Sequence, residues 1–231
     1  MHTNPHPTRI APRFLASNAL SLLGNSIAAV ALPLILLATT GDALAAGTLA
    51  LICAVPQMVI GVVGGALLDR LNRRSISIVS DFISALGIAL LPVVDMVWGL
   101  NFGWFVALGL LGAIGDIPGM TARDALLPAV VARDKADLQR FMGLTQSLDS
   151  LTTIVGPAVA AFLIGTVGGV TSLWFTAALS FAAAVVTCTV PRSVGVEGLR
   201  RDGGTSEGRS AVASALDALR TGARVLFRTD G

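Results

Sequence analysis

Eight charged residues in this 231-residue chain stand where charge is either concentrated or expensive, and their types define the chemistry open to it. Asp69, Arg70, Arg73 and Arg74 crowd between two long apolar stretches. Asp81, Asp116 and Arg123 lie near the ends of such stretches, and Asp149 lies within one. A carboxylate in apolar surroundings can exchange a proton or hold a cation, and an arginine nearby can neutralise it. Nucleophilic and metal chemistry lack their residues: His2 and His6 are at the amino terminus, and Cys53 and Cys188 stand singly in apolar runs as small packing residues. No catalytic or metal-ligating set is expected, nor a nucleic-acid partner.

The elements that must position these charges are membrane helices. A mean hydropathy of +0.78 with 13% charged residues is outside the soluble globular range. Residues 43–68 carry no charge and residues 75–94 carry one, and about 20 apolar residues suffice to cross a bilayer as a helix. The charged cluster is thus a short loop between two spans. The same criterion gives six spans, at 14–40, 44–68, 75–94, 102–121, 141–166 and 170–190. The first is too long for a signal peptide. The fold class expected is all-α, a polytopic six-helix bundle (14–190) between a polar leader (1–13) and a tail (191–231). In the tail, a Gly/Ser/Arg-rich linker precedes an amphipathic stretch at 211–228, with Arg220, Arg224 and Arg228 four apart. That stretch would lie on an anionic lipid surface or pack on the protein itself.

All Lys and Arg fall in the leader, in loops 69–74 and 123–140, or in the tail. The positive-inside rule then puts both termini in the cytoplasm of a cell-membrane protein, as an even span count requires. Trp98, Trp104 and Trp174 map to the opposite ends of their spans, where indole rings favour the interface.

The loop Gly65-Ala66-Leu67-Leu68-Asp69-Arg70-Leu71-Asn72-Arg73-Arg74 resembles the signature of the major facilitator superfamily, Gly-x-x-x-Asp-Arg-x-Gly-Arg-Arg. The one departure is Asn72 at the usual Gly, and Asn is the next best residue for a left-handed turn. Gly156-Pro157 in the fifth span is similar to an element of drug and metabolite exporters, and implies a bent, cavity-lining helix. Arg123-Asp124-Ala125-Leu126-Leu127-Pro128 resembles the loop after the fourth span in the multidrug and macrolide efflux branch. The resemblance covers an amino-terminal half and its connector. It implies a 3+3 inverted repeat, to which Pro56 and Pro157 at corresponding depths lend support.

The resemblance implies the amino-terminal half of a secondary transporter. Such a half would export small amphipathic compounds by alternating access, driven by a proton or other ion gradient and needing no cofactor. Its partners would be the bilayer, the substrate, and a carboxy-terminal six-helix half or a second chain. The alternative is a truncated or non-transporting six-helix scaffold. Asp69 would meet a helix of the other half and, with Gly65, Arg70, Arg73 and Arg74, form a conformational switch. Exporters often carry an arginine inside the fourth span and an acid in the first; this chain has Arg123 only at the cytoplasmic end, and Asn25 in the first.

The remaining acids divide by depth. Asp81 and Asp116 each lie about two turns from the cytoplasmic edge, which predicts an ion-pair network there with Arg123 and the loop arginines. Asp149 lies about 13 Å along the fifth span, near mid-bilayer, where a carboxylate must face the bundle interior or a wet cavity. It is the coupling candidate, with hydrogen bonding by Ser147 or Thr152 as the alternative. Asn25 and Gln57 are the substrate-path candidates, though each also reads as a helix-packing polar residue.

Overall fold

The computed structural model describes residues 10–68, 72–191 and 194, without the side chains of 59–68. The leader before Ile10, Asp69 and Arg70 of the loop, and the amphipathic stretch 211–228 lie outside the described residues, as do the surroundings of Gly65. The described residues form six helices: α1 Ala11–Thr40, α2 Ala43–Leu68, α3 Arg73–Trp98, α4 Phe102–Asp134, α5 Leu138–Val167 and α6 Gly169–Cys188. All but α2 are long and apolar enough over their described residues to cross a bilayer; α2 has a shorter apolar stretch, Ala43–Met58. In lipid a helix satisfies its own backbone, and connections between spans can be brief.

The caps explain the boundaries. Asn101 accepts from the Trp104 amide at 3.1 Å to start α4, and Asp137 accepts from the Gln139 and Arg140 amides to start α5. Asn72 corrects the expected left-handed turn: its backbone is extended at φ −67° and ψ 108°, and its side chain accepts from the Arg74 amide at 3.1 Å. It serves as the N-cap of α3, a role Asn fills as readily as a turn. The fourth span also differs from expectation. The segment after Thr121 is not a loop; α4 continues to Asp134, and only Lys135–Asp137 connect it to α5. Two contacts hold that extension. The Asp134 carboxylate accepts from the Ile10 and Ala11 amides at 2.7 and 2.8 Å, capping α1 from another helix. Leu126, Leu127, Val130 and Val131 then join Phe14 and Phe141 in a second buried cluster.

The packing has an internal two-fold pattern. α1 lies against α5 and α6 as α4 lies against α2 and α3, and α3 meets α6 between them. Exchanging the first three helices with the last three reproduces these pairings, as a 3+3 repeat requires. The main core, around Ile27, Leu36, Leu49, Leu91, Phe105 and Leu173, sits where α1, α2, α3, α4 and α6 converge. α5 contributes few buried residues, and Leu151, Ile154 and Phe162 are exposed along it, as are Leu51, Val55 and Met58 on α2.

Helices in lipid gain little from hydrophobic drive and depend on close backbone approach through small residues. α3 and α4 show this most clearly. A Cβ on Gly115 would lie 3.0 Å from the Ser80 carbonyl, and one on Gly119 only 2.8 Å from the Ser80 Cβ. Gly143 on α5 faces open space. We therefore expect Gly119→Val to destabilise the bundle by about 1–3 kcal/mol through overpacking, with Gly143→Val within about 0.5 kcal/mol of the parent. Denaturant titration in detergent followed by circular dichroism measures both.

Candidate substrate cavity and its charged base

Two polar features lie inside the bundle. The first is an ion pair at the end of the core nearest the start of α3. Asp81 on α3 and Arg123 on α4 are both only 4% exposed, and Arg123 Nη2 donates to Asp81 Oδ2. The other carboxylate oxygen accepts from Ser21 Oγ of α1 at 2.9 Å. One side chain thus joins three helices, with each oxygen occupied. α1 is also tied to α6, through Ser17 and Thr187, whose hydroxyls are in contact.

The loop arginines flank this base. Arg74 donates through Nε to the Val190 carbonyl and through Nη2 to the Cys188 carbonyl at 2.7 Å, satisfying carbonyls left open at the end of α6. Arg73 Nη1 donates to the Ala125 carbonyl of α4 at 3.1 Å. Of the expected network, the pair Asp81–Arg123 is present, and the Arg74 side chain donates to the backbone carbonyls of Val190 and Cys188.

The second feature is a cavity of about 320 Å³ between α1, α2, α3 and α4. Its lining is mostly apolar, and its polar groups are Asn25, Gln57 and Asp116. A mostly apolar pocket of this size with a few convergent polar groups has the form of a small-molecule site. Asp116 belongs to this cavity. Its neighbours are the buried Ser84 hydroxyl and, as charged groups, Asp81 and Arg123. Asn25 and Gln57, expected on the substrate path, both line the cavity, as does Cys53.

Gly156, Pro157 and Asp149 are not among the cavity's lining residues. Gly156 is buried against α1, where a Cβ would overlap the Ser26 side chain, and Ser26 Oγ donates to the Thr152 carbonyl at 2.9 Å. Asp149 is half-buried on α5 and close enough to Asp124 for their charges to interact. Ser147 and Thr152, considered as its partners, instead donate to the backbone carbonyls of Gly143, Leu148 and Asp149. The sequence reading missed the buried serines Ser77, Ser80 and Ser84 on α3 and the glycines Gly112, Gly115 and Gly119 on α4. Their spacings of three, four and seven place each set on one helix face, which was the available signal.

Removing one partner of a buried pair leaves an uncompensated charge. Asp81→Asn or Arg123→Met alone should destabilise the protein by about 3–5 kcal/mol, and Asp81→Leu with Arg123→Met should recover most of that loss. Unfolding curves of the three variants in one detergent measure this.

Comparison with known proteins agrees with this architecture. Residues 14–228 match the Major Facilitator Superfamily. The chain is 33% identical over 196 residues to the multidrug efflux pump Tap of Mycolicibacterium fortuitum, covering 84% of this chain and 46% of that protein. It is 31% identical over 214 residues to multidrug efflux pump Tap of Mycobacterium tuberculosis, covering 90% and 50% respectively. Macrolide efflux protein A of Streptococcus pyogenes is 34% identical over 149 residues, 64% of this chain and 36% of that protein. The chain spans about half the length of the Tap pumps it matches. With a family match running from the first helix into the tail, and six helices paired as two threes, this multi-pass membrane chain belongs to the Major Facilitator Superfamily.

Proposed function

We propose that this chain supplies the amino-terminal half of an exporter that moves small amphipathic compounds by alternating access, driven by a proton or other ion gradient. The observation that carries this reading is the cavity of α1–α4, apolar with Asn25, Gln57 and Asp116 on its wall. The efflux relatives support the direction of transport. A second six-helix bundle, from a carboxy-terminal half or a second chain, would cover the exposed apolar faces of α2 and α5.

Within that assembly both termini are cytoplasmic. Gly65, Asp69, Arg70, Arg73 and Arg74 form the switch at the cytoplasmic side, with Asp69 meeting the other half. Arg73 and Arg74 act there through α4 and α6, to which they donate. Asp149, on the little-buried α5, is the coupling carboxylate facing the second bundle. Gly156 and Pro157 set the crossing of α5 on α1. The energy source is the ion gradient, with no cofactor.

The test uses vesicles with an imposed pH gradient, containing this chain alone or with a separately expressed carboxy-terminal half of an efflux relative. Efflux of an amphipathic dye with the second half present supports the half-transporter reading, and efflux by the chain alone supports assembly from two copies. No efflux in either case favours the non-transporting scaffold. A Cβ at Gly112 meets nothing within 4 Å and the residue lines the cavity, so Gly112→Leu is chosen to fill part of that space. We expect it to lower efflux by on the order of tenfold, with an unfolding midpoint close to the parent's.

A further inference from the structure

Two buried polar atoms beside the Asp81–Arg123 pair belong to residues that line one small void. Arg123 donates to Asp81 through Nη2, whereas its Nε has no hydrogen-bond partner among the described residues. Ser77 Oγ, on α3 one turn before Asp81, is fully buried and likewise without a partner there. Both side chains face a void of about 10 Å³ where α1, α3, α4 and α6 meet. The Nε–H of an arginine can only donate, and a buried donor left unmade carries the full desolvation penalty of its group. Buried groups of this kind therefore find an acceptor, in the protein or in ordered water.

The rest of the wall limits what that acceptor can be. Ser17 of α1 and Thr187 of α6 contribute hydroxyls that touch each other, and both donate to the Ala183 carbonyl. With those protons engaged, their oxygens keep lone pairs that can only accept. Phe14, Leu126 and Val190 supply the apolar side of the void and belong to the second buried cluster. The occupant must therefore accept from Arg123 Nε and donate to a hydroxyl, in the space of a single molecule. An anion accepts but cannot donate, and a metal cation would face the positive guanidinium. Water does both, and a void of about 10–15 Å³ is the least that one water requires.

We propose that this void is the binding site of one buried water molecule, which accepts from Arg123 Nε and Ser77 Oγ and donates to the hydroxyl oxygens of Ser17 and Thr187. A single water then ties α3 and α4 to α1 and α6, as the Asp81 carboxylate ties α3 and α4 to α1. It also holds a second edge of the Arg123 guanidinium, so that the plane presented to Asp81 is fixed from both sides. The void shares no lining residue with the larger cavity of α1–α4, so the water site stands apart from the reading of that cavity as a substrate chamber.

X-ray radiolytic labelling of the full chain in lipid nanodiscs, read by mass spectrometry, tests this, because an ionised bound water oxidises the side chains beside it. Phe14 and Leu126 are buried at the void, whereas Phe105 and Leu91 are buried in the main core away from it. Comparing like with like, Phe14 should be oxidised several-fold more than Phe105, and Leu126 several-fold more than Leu91. Ser77→Val places methyl groups where the water sits and should bring Phe14 and Leu126 down to the level of the core pair. Thermal unfolding gives an independent sign. Filling a dry void stabilises, but displacing a water that partners a buried arginine destabilises. Ser77→Val should therefore unfold at a lower temperature than Ser77→Ala, which leaves room for the water and its other partners. Oxidation of Phe14 and Leu126 no greater than that of Phe105 and Leu91 in the parent, or unchanged in Ser77→Val, would overturn the proposal, as would a Ser77→Val chain at least as stable as Ser77→Ala. The comparison within the parent carries the test if Ser77→Val does not fold.

Discussion

The pairing of Asp81 with Arg123 is the constraint on which the arrangement of this bundle depends. Neither charge is tolerable alone inside an apolar helix bundle, so α3 and α4 must be in the one register that brings the two together. Ser21 completes the carboxylate and brings α1 into the same register. The glycines of α4 make the approach sterically accessible, because Gly115 and Gly119 lie directly against Ser80, the neighbour of Asp81. Apolar clusters pack to either side of the pair, one around Phe105 and Leu91 and the other around Phe14 and Phe141. A buried pair of this kind contributes more to the choice of register than to net stability, since well-packed apolar side chains of similar volume would hold the helices as tightly.

With α1, α3 and α4 fixed at this base, the cavity opens where the same helices and α2 carry small or polar residues. Asn25, Cys53, Gly109, Gly112 and Asp116 fall on its wall. The loop arginines extend the framework beyond the pair: Arg73 reaches α4 and Arg74 reaches the end of α6. The start of α3 is thereby linked to both α4 and α6. α2 and α5 stand apart from this framework, with apolar side chains directed outward to lipid or to a second bundle.

Hydropathy and charge placement made the six spans, the charged loop and the family resemblance legible, because those signals dominate membrane insertion. Signals that depend on the azimuth and level of individual side chains were not. Asp116 and Arg123 are seven residues apart and share a face of α4, but the rise puts them about 10 Å from each other, beyond direct pairing. Asp81 reaches Arg123 from another helix, and no spacing within α4 announces that. The continuation of α4 to Asp134 was hidden because a helix leaving the membrane changes composition without ending. Its stop is marked only by the Asp137 cap of the next helix, the kind of N-cap signal that Asn72 also carries. Hydrogen bonds from Arg74 to backbone carbonyls leave no trace in sequence, since any residue supplies a carbonyl.

If the chamber between α1 and α4 is where a transported compound resides, a bound compound must shield the side chains on its wall. Cys53 lines that chamber, and the other cysteine, Cys188, is exposed at the end of α6. In a Cys188→Ser chain, Cys53 is therefore the single thiol, and its alkylation rate by a small maleimide, with and without a saturating amphipathic dye, reports directly on occupancy. The compound should slow Cys53 labelling several-fold, and the cavity-filling Gly112→Leu should abolish this protection. Labelling at the same rate with and without the compound, at concentrations that saturate binding, would contradict residence in the chamber.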